Sequence, residues 1–251
     1  MTRMTRGRIR RRQVLHDERG SVAIFTISCL SLAIAIILYL AYYYGGFVSL
    51  RQAQNVADSA ALAAAQELRD RFVAQMQDKT LATVRTFIRK LREEVEACEI
   101  ERKPGDPPCP TVDDLIKLYI KQSELERILL ANKYDKAEHW LLVVAEPQFH
   151  FEYTPEANGD VLYETFLQQQ QIIVRTALEA AARNNGEQRL LIRFPVDGRP
   201  KLEVNGVKAM QVKELDGGQP AWITAKAAAG IEPQAFEVDV SRKIPKTIRK
   251  H

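Results

Sequence analysis

The feature that most constrains this chain is an uncharged run from Ser21 to Leu50, whose centre consists almost entirely of leucine, isoleucine and alanine. A helix needs about 20 apolar residues to cross the hydrocarbon core of a bilayer. Because a backbone in lipid must satisfy its own hydrogen bonds, such a segment is helical. Core helices of soluble proteins are rarely this long and uncharged. The run therefore predicts one transmembrane helix over residues 20–50, with the tyrosines at 42–44 near the lipid–water boundary.

The basic tail before this run predicts the direction of the span. Residues 1–19 hold seven arginines against Asp17 and Glu18, a net charge of +5, whereas the whole chain carries +4. The positive-inside rule then places the N-terminus in the cytoplasm and residues from about 50 onward outside it. A basic tail without interleaved aromatic residues, next to a span, does not indicate nucleic-acid binding. We expect an uncleaved signal anchor, because the apolar run exceeds the roughly 7–15 residues of a signal-peptide core.

The segment after the span, residues 51–68, is rich in alanine. On a helix its small residues recur at three- and four-residue steps, and such a stripe lets another helix approach closely. We predict a helix–helix contact in a membrane-anchored assembly, with a homo-oligomer through the stripe as one form of it. The predicted contact residues are Gln54, Asn55, Ala57, Asp58, Ala61 and Ala64. The simpler interpretation of Asp58 is a charge on a helix surface.

Two short patterns on either side of the span resemble a known family. Arg-Gly-Ser-x-Ala stands at Arg19–Ala23, and R-x-x-Q-N-x-A-D-x-A-A-L-A-A-A stands at Arg51–Ala65. Together they resemble the N-terminal segment of TadE/TadG-like proteins, which belong to the tight-adherence (Flp pilus) assembly systems of bacteria. The resemblance implies a structural, non-enzymatic component of a pilus-assembly or secretion machine, held in the inner membrane beside other pilus-assembly proteins.

The chain departs from this family at two places, near the processing site and near the end of the span, where many members have an aspartate and this chain has Tyr43-Tyr44-Gly45. Family members that are cut by prepilin peptidase carry a glutamate five residues after the glycine, where this chain has Phe25. The resemblance thus makes Gly20–Ser21 a candidate processing site but leaves open whether it is cut. Larger TadG-like proteins carry a von Willebrand A domain with an Asp-x-Ser-x-Ser metal motif. The nearest string here, at residues 239–243, lacks the second serine, so we expect neither that domain nor that metal site.

Helical spacing of apolar residues continues from residue 69 to about Cys98 and predicts a long amphipathic stalk helix. Cys98 and Cys109 then flank a loop rich in proline and glycine. Thiols oxidise readily outside the cytoplasm, and closing this loop would contribute roughly 2–3 kcal/mol. We predict a disulfide here, with two free thiols as the alternative. Zinc is disfavoured, because neither cysteine has a partner at ligand spacing.

The remaining residues predict a head of helices packed on an antiparallel sheet, so the fold class is α+β. Thr111 predicts the N-cap of a helix that runs to about residue 132. Residues 139–145 and 148–153 indicate two strands, residues 155–159 a turn and residues 161–185 a helix. Five further strands are predicted at residues 189–194, 201–206, 209–215, 221–229 and 235–241, separated by turns at Asp197-Gly198, Asn205-Gly206, Asp216-Gly217-Gly218 and Gly230.

These patterns give five regions: a cytoplasmic tail (1–19), the span (20–50), the stalk helix (51–98), an extracytoplasmic head (99–241) and a basic, mobile tail (242–251). No nucleotide-binding, hydrolase or metalloprotease motif occurs. We therefore expect no enzyme, cofactor or metal. His139, Glu146 and His150 are the nearest approach to a ligand set or a catalytic site, and structural histidines explain them more simply. A membrane-tethered periplasmic binding module unrelated to pili is the alternative function.

Overall fold

A computed structural model of the 251-residue chain describes residues 18–187, 189–210, 221–231 and 235–250. The chain divides into two compact units, residues 1–51 and residues 52–251. One α-helix, α1, is assigned over Glu18–Glu101. The predicted long helix that follows the apolar run is confirmed, and it ends three residues beyond Cys98.

The first unit is the apolar part of α1. Its large side chains are exposed rather than packed in a core, as at Leu30 (63%) and Leu38 (64%). The hydroxyl groups of Thr26 and Ser28 donate to the carbonyl oxygens of Val22 and Ile24 one turn earlier, so these polar side chains are satisfied within the helix. Within the described residues this is the one helix long and apolar enough to cross a membrane, and it fits a single-pass membrane anchor.

In the second unit, one face of α1 forms the centre of the hydrophobic core. Leu68, Phe72 and Met76 are fully buried, and Val84 and Leu91 continue the same face toward the end of the helix. They are spaced four, seven or eight residues apart, which is the spacing of one face of an amphipathic helix packed on other elements. The head therefore folds around the helix that the sequence indicated as a stalk.

The loop that follows α1 is closed by a disulfide between Cys98 and Cys109, whose Cα atoms are 5.9 Å apart. Thr111 then caps α2 (Val112–Tyr119) by accepting a hydrogen bond from the backbone N–H of Asp114. The predicted N-cap is confirmed, but the single helix predicted to residue 132 is wrong. The chain breaks after α2 and resumes as α3 (Ser123–Leu130). At the break, the buried Glu146 carboxylate accepts from the backbone N–H groups of Lys121 and Gln122.

The two strands predicted between residues 139 and 153 are also wrong. Residues Lys136–Val144 form helix α4, and Pro147–Glu152 form a 3-10 helix. Asp135 caps α4 by accepting from the N–H of Ala137 at 2.7 Å. A short apolar run is compatible with a buried strand or a buried helix, and here the preceding cap selects the helix.

The turn and single helix predicted over residues 155–185 are instead α5 (Pro155–Gln168) and α6 (Gln170–Arg183). Thr154 caps α5, and Pro155 occupies its first turn, where a missing N–H costs nothing. Gly159 lies inside α5 rather than in a turn. A Cβ atom at this position would collide with the carbonyl oxygen of Asp239, so glycine permits the close approach of the two segments.

The predicted antiparallel sheet is confirmed. It contains β1 (Leu190–Phe194), β2 (Lys201–Met210), β3 (Ala221–Gly230) and β4 (Lys246–Lys250) in the order β3-β2-β1-β4. The turn at Asp197-Gly198 is also confirmed, because both residues have positive φ (52° and 68°) and Val196 bridges Arg199.

Three details of the sheet differ from the sequence prediction. Asn205-Gly206 lies inside β2, paired with Lys226 and Ala225 of β3, and does not form a turn. Residues 235–241 are not a strand, and the N–H of Asp239 donates to the carbonyl oxygen of Pro155. The expected mobile tail contains β4, which pairs with β1. The strand segment predicted at residues 211–215 and the turn at Asp216-Gly217-Gly218 lie outside the described residues.

Candidate functional site

The alanine-rich part of α1 lies against the sheet of its own head. Ala53 and Ala57 form a buried cluster with Ala225 of β3, flanked by Ile223 and Ala227. Alanine side chains let the helix axis approach the strands closely, as small residues do between packed helices. The side chains of β3 that face the helix are equally small, because most of them are alanine.

Gly206 of β2 lies against this helix. A Cβ atom placed on Gly206 would lie 3.4 Å from the Cα atom of Ala57 and 3.5 Å from its Cβ atom. A Cβ atom at Gly186 would collide with Cγ1 of Val56, the same atom that a Cβ atom on Gly206 would approach at 3.4 Å. Gly186 therefore has no room for a larger side chain, whereas an added methyl group at Gly206 would make ordinary van der Waals contact with Ala57.

Polar contacts at the edge of this interface fix its register. The Gln54 side-chain amide donates to the carbonyl oxygen of Lys226 at 3.2 Å and to the Asp58 carboxylate at 2.9 Å. Lys226 in turn pairs with Glu203 of β2 at 2.8 Å, and the Glu203 side chain is only 9% exposed. Because a buried acid is costly without a partner, this ion pair ties β3 to β2 on the face of the sheet opposite to the helix.

The six residues predicted to contact a partner helix separate into two groups. Ala57, Ala61 and Ala64 are at most 1% exposed, and Gln54 is half-buried, all within the chain's own head. Asn55 and Asp58 are exposed. A stripe of small residues packs equally well on a helix or on a sheet, and the sequence did not distinguish the two. Contact of this segment with another protein stays a prediction, and it would have to use the exposed flank rather than the buried alanines.

Sequence reasoning missed the partners of the stripe, which are Gly206, Lys226 and the alanines of β3. The available signal was compositional: alanine occupies alternate positions 225, 227 and 229 of a predicted strand, which leaves that face of the strand flat. Gly206 was instead assigned to a turn. A glycine within a strand often marks a site where another backbone approaches closely, and that is its role here.

On the exposed flank of this helix, Leu62 is 65% exposed. It borders a shallow groove of ≈ 480 Å³ whose lining includes Gln66, Arg69, Val73 and Gly230 at the end of β3. Leu62 belongs to the alanine-rich segment but takes no part in the buried face. It is the largest apolar side chain that this segment leaves to a partner among the described residues.

A second polar cluster joins α1 to the end of the 3-10 helix. The hydroxyl of Tyr153 donates to Oγ1 of Thr83 at 2.9 Å, and Thr83 donates to the Glu152 carboxylate at 2.7 Å. Burial raises the pKa of Tyr153 to about 12. The Lys79 ammonium donates to the carbonyl oxygen of Glu152 and lies 4.7 Å from the Tyr153 ring, and burial lowers its pKa. These groups hold the head onto the helix and offer no open site for a substrate.

His139, Glu146 and His150, which come nearest to a metal-ligand set in the sequence, do not form a group that could hold a metal ion. Nδ1 of His139 accepts from the N–H of Asp135 at 2.9 Å, and Glu146 is engaged by backbone amides. His150 is exposed. No group of three or more histidine, cysteine or acidic side chains that could hold a metal ion occurs among the described residues. The Asp239 carboxylate accepts from the N–H of Ser241, which lowers the pKa of Asp239 and forms a local turn.

Comparison with known proteins identifies the segment that contains this interface helix. Residues 20–67 match the family model described as Putative Flp pilus-assembly TadE/G-like. No curated protein and no solved structure matches the chain. Gly20 and Ser21 stand at the start of the matched segment, and whether the bond between them is cut stays open. The chain therefore carries, over residues 20–67, a TadE/G-like segment of the kind associated with Flp pilus assembly.

Proposed function

We propose that this chain is a structural component of a tight-adherence (Flp-type) pilus-assembly machine, anchored in the inner membrane by one span. The observation that carries the proposal is the position of the TadE/G-like match. It covers the exposed apolar helix and continues to residue 67, within the alanine-rich helix that forms the core of the head. Anchor and head thus share the family segment, which suits a protein that holds a folded domain at a membrane.

Two observations support a head on the extracytoplasmic side. The net charge of +5 in residues 1–19 favours a cytoplasmic N-terminus under the positive-inside rule. Cys98 and Cys109, which belong to the head, are joined in a disulfide, and disulfides persist in oxidising compartments such as the bacterial periplasm. The uncleaved signal anchor predicted from the sequence is consistent with the same orientation.

The contacts that the protein makes within such a machine would use surfaces other than the buried alanines. The flank of the alanine-rich helix offers Leu62 with the polar residues Asn55 and Asp58. In a helix-mediated contact, an exposed apolar side chain of the helix enters an apolar groove of the partner, and Leu62 is the residue of this flank that would do so. Inner-membrane pilus-assembly proteins with periplasmic helices are the partners that this arrangement suits.

The proposal is tested by purifying the full chain with an affinity tag from its own cells in mild detergent. We expect pilus-assembly proteins to co-purify, and we expect Leu62→Glu to reduce their recovery. Leu118→Glu is the matched control, since Leu118 is also exposed (59%) and lies on α2, away from the family segment. A solitary monomer with no pilus-system protein would count against the proposal.

A membrane-tethered binding module unrelated to pili is the second candidate. It is favoured by one observation, which is that the family match ends at residue 67 and leaves most of the head outside it. Secretion of residues 52–251, one compact unit, into the periplasm of a deletion strain separates the two candidates. Restored function without the span would favour the binding module, and lost function with a folded head would favour the anchored component.

A further inference from the structure

The sheet ends at β4 with a strand edge that other elements leave open. β4 pairs with β1, and no other described strand pairs with it. Alternate residues of an antiparallel end strand direct their N–H and C=O groups away from the sheet. An extended segment of another protein can add to such an edge through main-chain hydrogen bonds.

The charges on β4 are all positive. Lys246, Arg249 and Lys250 are exposed, the strand contains no acidic residue, and none of the three forms an ion pair with any described residue. A second copy of β4 laid along this edge would bring like charges together, which disfavours self-association. The same charges favour an added strand that is acidic.

The register of the sheet assigns these side chains to its two faces. Leu190 pairs with Lys250, Ile192 with Ile248, and Phe194 with Lys246. The three β1 residues are buried, and directly paired residues share a face. Lys246, Ile248 and Lys250 therefore lie on the face that the helices cover, and Arg249 lies on the opposite face.

A groove of ≈ 580 Å³ runs between this edge and α6. Its apolar lining includes Ile172, Leu178 and Ile248, and Lys250 stands at its rim. No acidic side chain lines it among the described residues. Arg175 of α6 also lines the groove but has Glu179 as a partner at 3.8 Å, so the unpaired positive charge comes from β4. An apolar groove beside a positively charged strand edge suits an added strand that places an apolar side chain in the groove and acidic side chains opposite the cations.

We propose that the β4 edge and this groove bind an extended, acidic segment of a partner protein as a fifth, antiparallel strand. The residue of that segment opposite Ile248 is apolar and rests in the groove against α6. The residues opposite Lys246, Arg249 and Lys250 are acidic. This inference uses the head alone and does not depend on a role in pilus assembly.

The test uses the full chain in a nonionic detergent and a fluorescent peptide whose centre reads glutamate-glutamate-valine-threonine-glutamate, the antiparallel complement of β4. We expect saturable binding by fluorescence anisotropy, together with slower deuterium uptake at residues 246–250. Two control peptides keep the charge: one has the central order shuffled, and one carries N-methylated amides that block strand pairing. Both should bind at least tenfold more weakly, and equal binding of all three would overturn the proposal.

Variants in which the cations of β4 are replaced by neutral residues test whether the peptide binds at this strand. Lys246→Gln, Arg249→Gln and Lys250→Gln together should weaken binding about tenfold, which corresponds to about 1.4 kcal/mol. The matched control neutralises three exposed cations of α1, with Arg85→Gln, Lys90→Gln and Arg92→Gln, and should leave binding unchanged. Equal loss in both variants, or displacement of the peptide by anionic phospholipid added to the micelles, would contradict a protein segment as the ligand. The comparison of peptides on the unmodified chain does not require either variant to fold.

Discussion

The buried carboxylate of Glu146 gives the sharpest test of how the head is held together. Glu146 is 1% exposed and has no cationic partner among the described residues. Instead its two oxygens accept from the backbone N–H groups of Lys121 and Gln122, each at 3.0 Å. These amides lie where α2 ends and α3 has not begun, so the helices cannot supply their acceptors.

The cost of removing this carboxylate follows mainly from these two amides, since its third donor, the backbone N–H of Gln148, lies farther away at 3.4 Å. A buried donor left without an acceptor costs about 1–3 kcal/mol, so Glu146→Ala should destabilise the head by about 2–6 kcal/mol. Glu146→Gln keeps one acceptor oxygen and turns its amide nitrogen toward the second donor. It should therefore cost about 1–3 kcal/mol, roughly half as much.

The assay is urea unfolding of the full chain in mild detergent with Trp222→Phe as the common background, so that the fluorescence is that of Trp140, which is 9% exposed in the neighbouring helix α4. Glu96→Ala, at an exposed position of α1, is the control and should change stability by less than about 0.5 kcal/mol. If Glu146→Ala unfolds within about 0.5 kcal/mol of the unmodified chain, the backbone amides at the α2–α3 break do not depend on Glu146.

Three further predictions concern the head. Because burial raises the pKa of Tyr153 from 10.0 to about 12, its contribution to stability should be complete below pH 10 and lost as the pH rises toward 12; Tyr153→Phe should remove this part of the alkaline loss in a pH series of thermal unfolding. Gly159→Ala should destabilise by at least about 1–3 kcal/mol, because the added methyl group meets the carbonyl oxygen of Asp239; Gly230→Ala, with open space around it, is the control in the same urea assay. Replacement of both Cys98 and Cys109 by serine should cost about 2–3 kcal/mol through the loop that they close, and an unchanged midpoint of unfolding would contradict a stabilising disulfide.

The sequence predicted those parts of the fold whose signals are local or long. The uncharged run, the amphipathic spacing that continues to Cys98, the cap at Thr111 and the turn at Asp197-Gly198 each depend on neighbouring residues, and each is confirmed. The apolar run at residues 139–145 was assigned to a strand because its length and composition suit a strand or a buried helix equally. The choice between them comes from tertiary packing, with Trp140 and Val143 one helical turn apart in the core.

The sequence predicted which face of the helix forms the candidate interface, but it did not predict the element that packs against that face. Small residues at helical spacing show that something approaches the helix closely, and Ala57 and Ala61 are indeed buried. What approaches is a sheet formed by residues about 150 positions later in the chain. Such non-local contacts leave little trace in one sequence. The glycine that lies against Ala57, Gly206, resembles a turn residue when only its neighbour Asn205 is considered.

The most direct test of the central claim, that the chain's own sheet covers the alanine face of the TadE/G-like segment, is a designed disulfide. The Cβ atom of Ala57 and a Cβ atom at Gly206 would be 3.5 Å apart, which is within the range for a disulfide. We predict that Ala57→Cys with Gly206→Cys, in a chain whose exposed free Cys29 is replaced by serine and examined in membranes without reductant by intact mass and non-reducing electrophoresis, gives a cross-link within a monomer. Cross-linked dimers, or two free thiols in a folded protein, would show instead that the alanine face is open to another subunit.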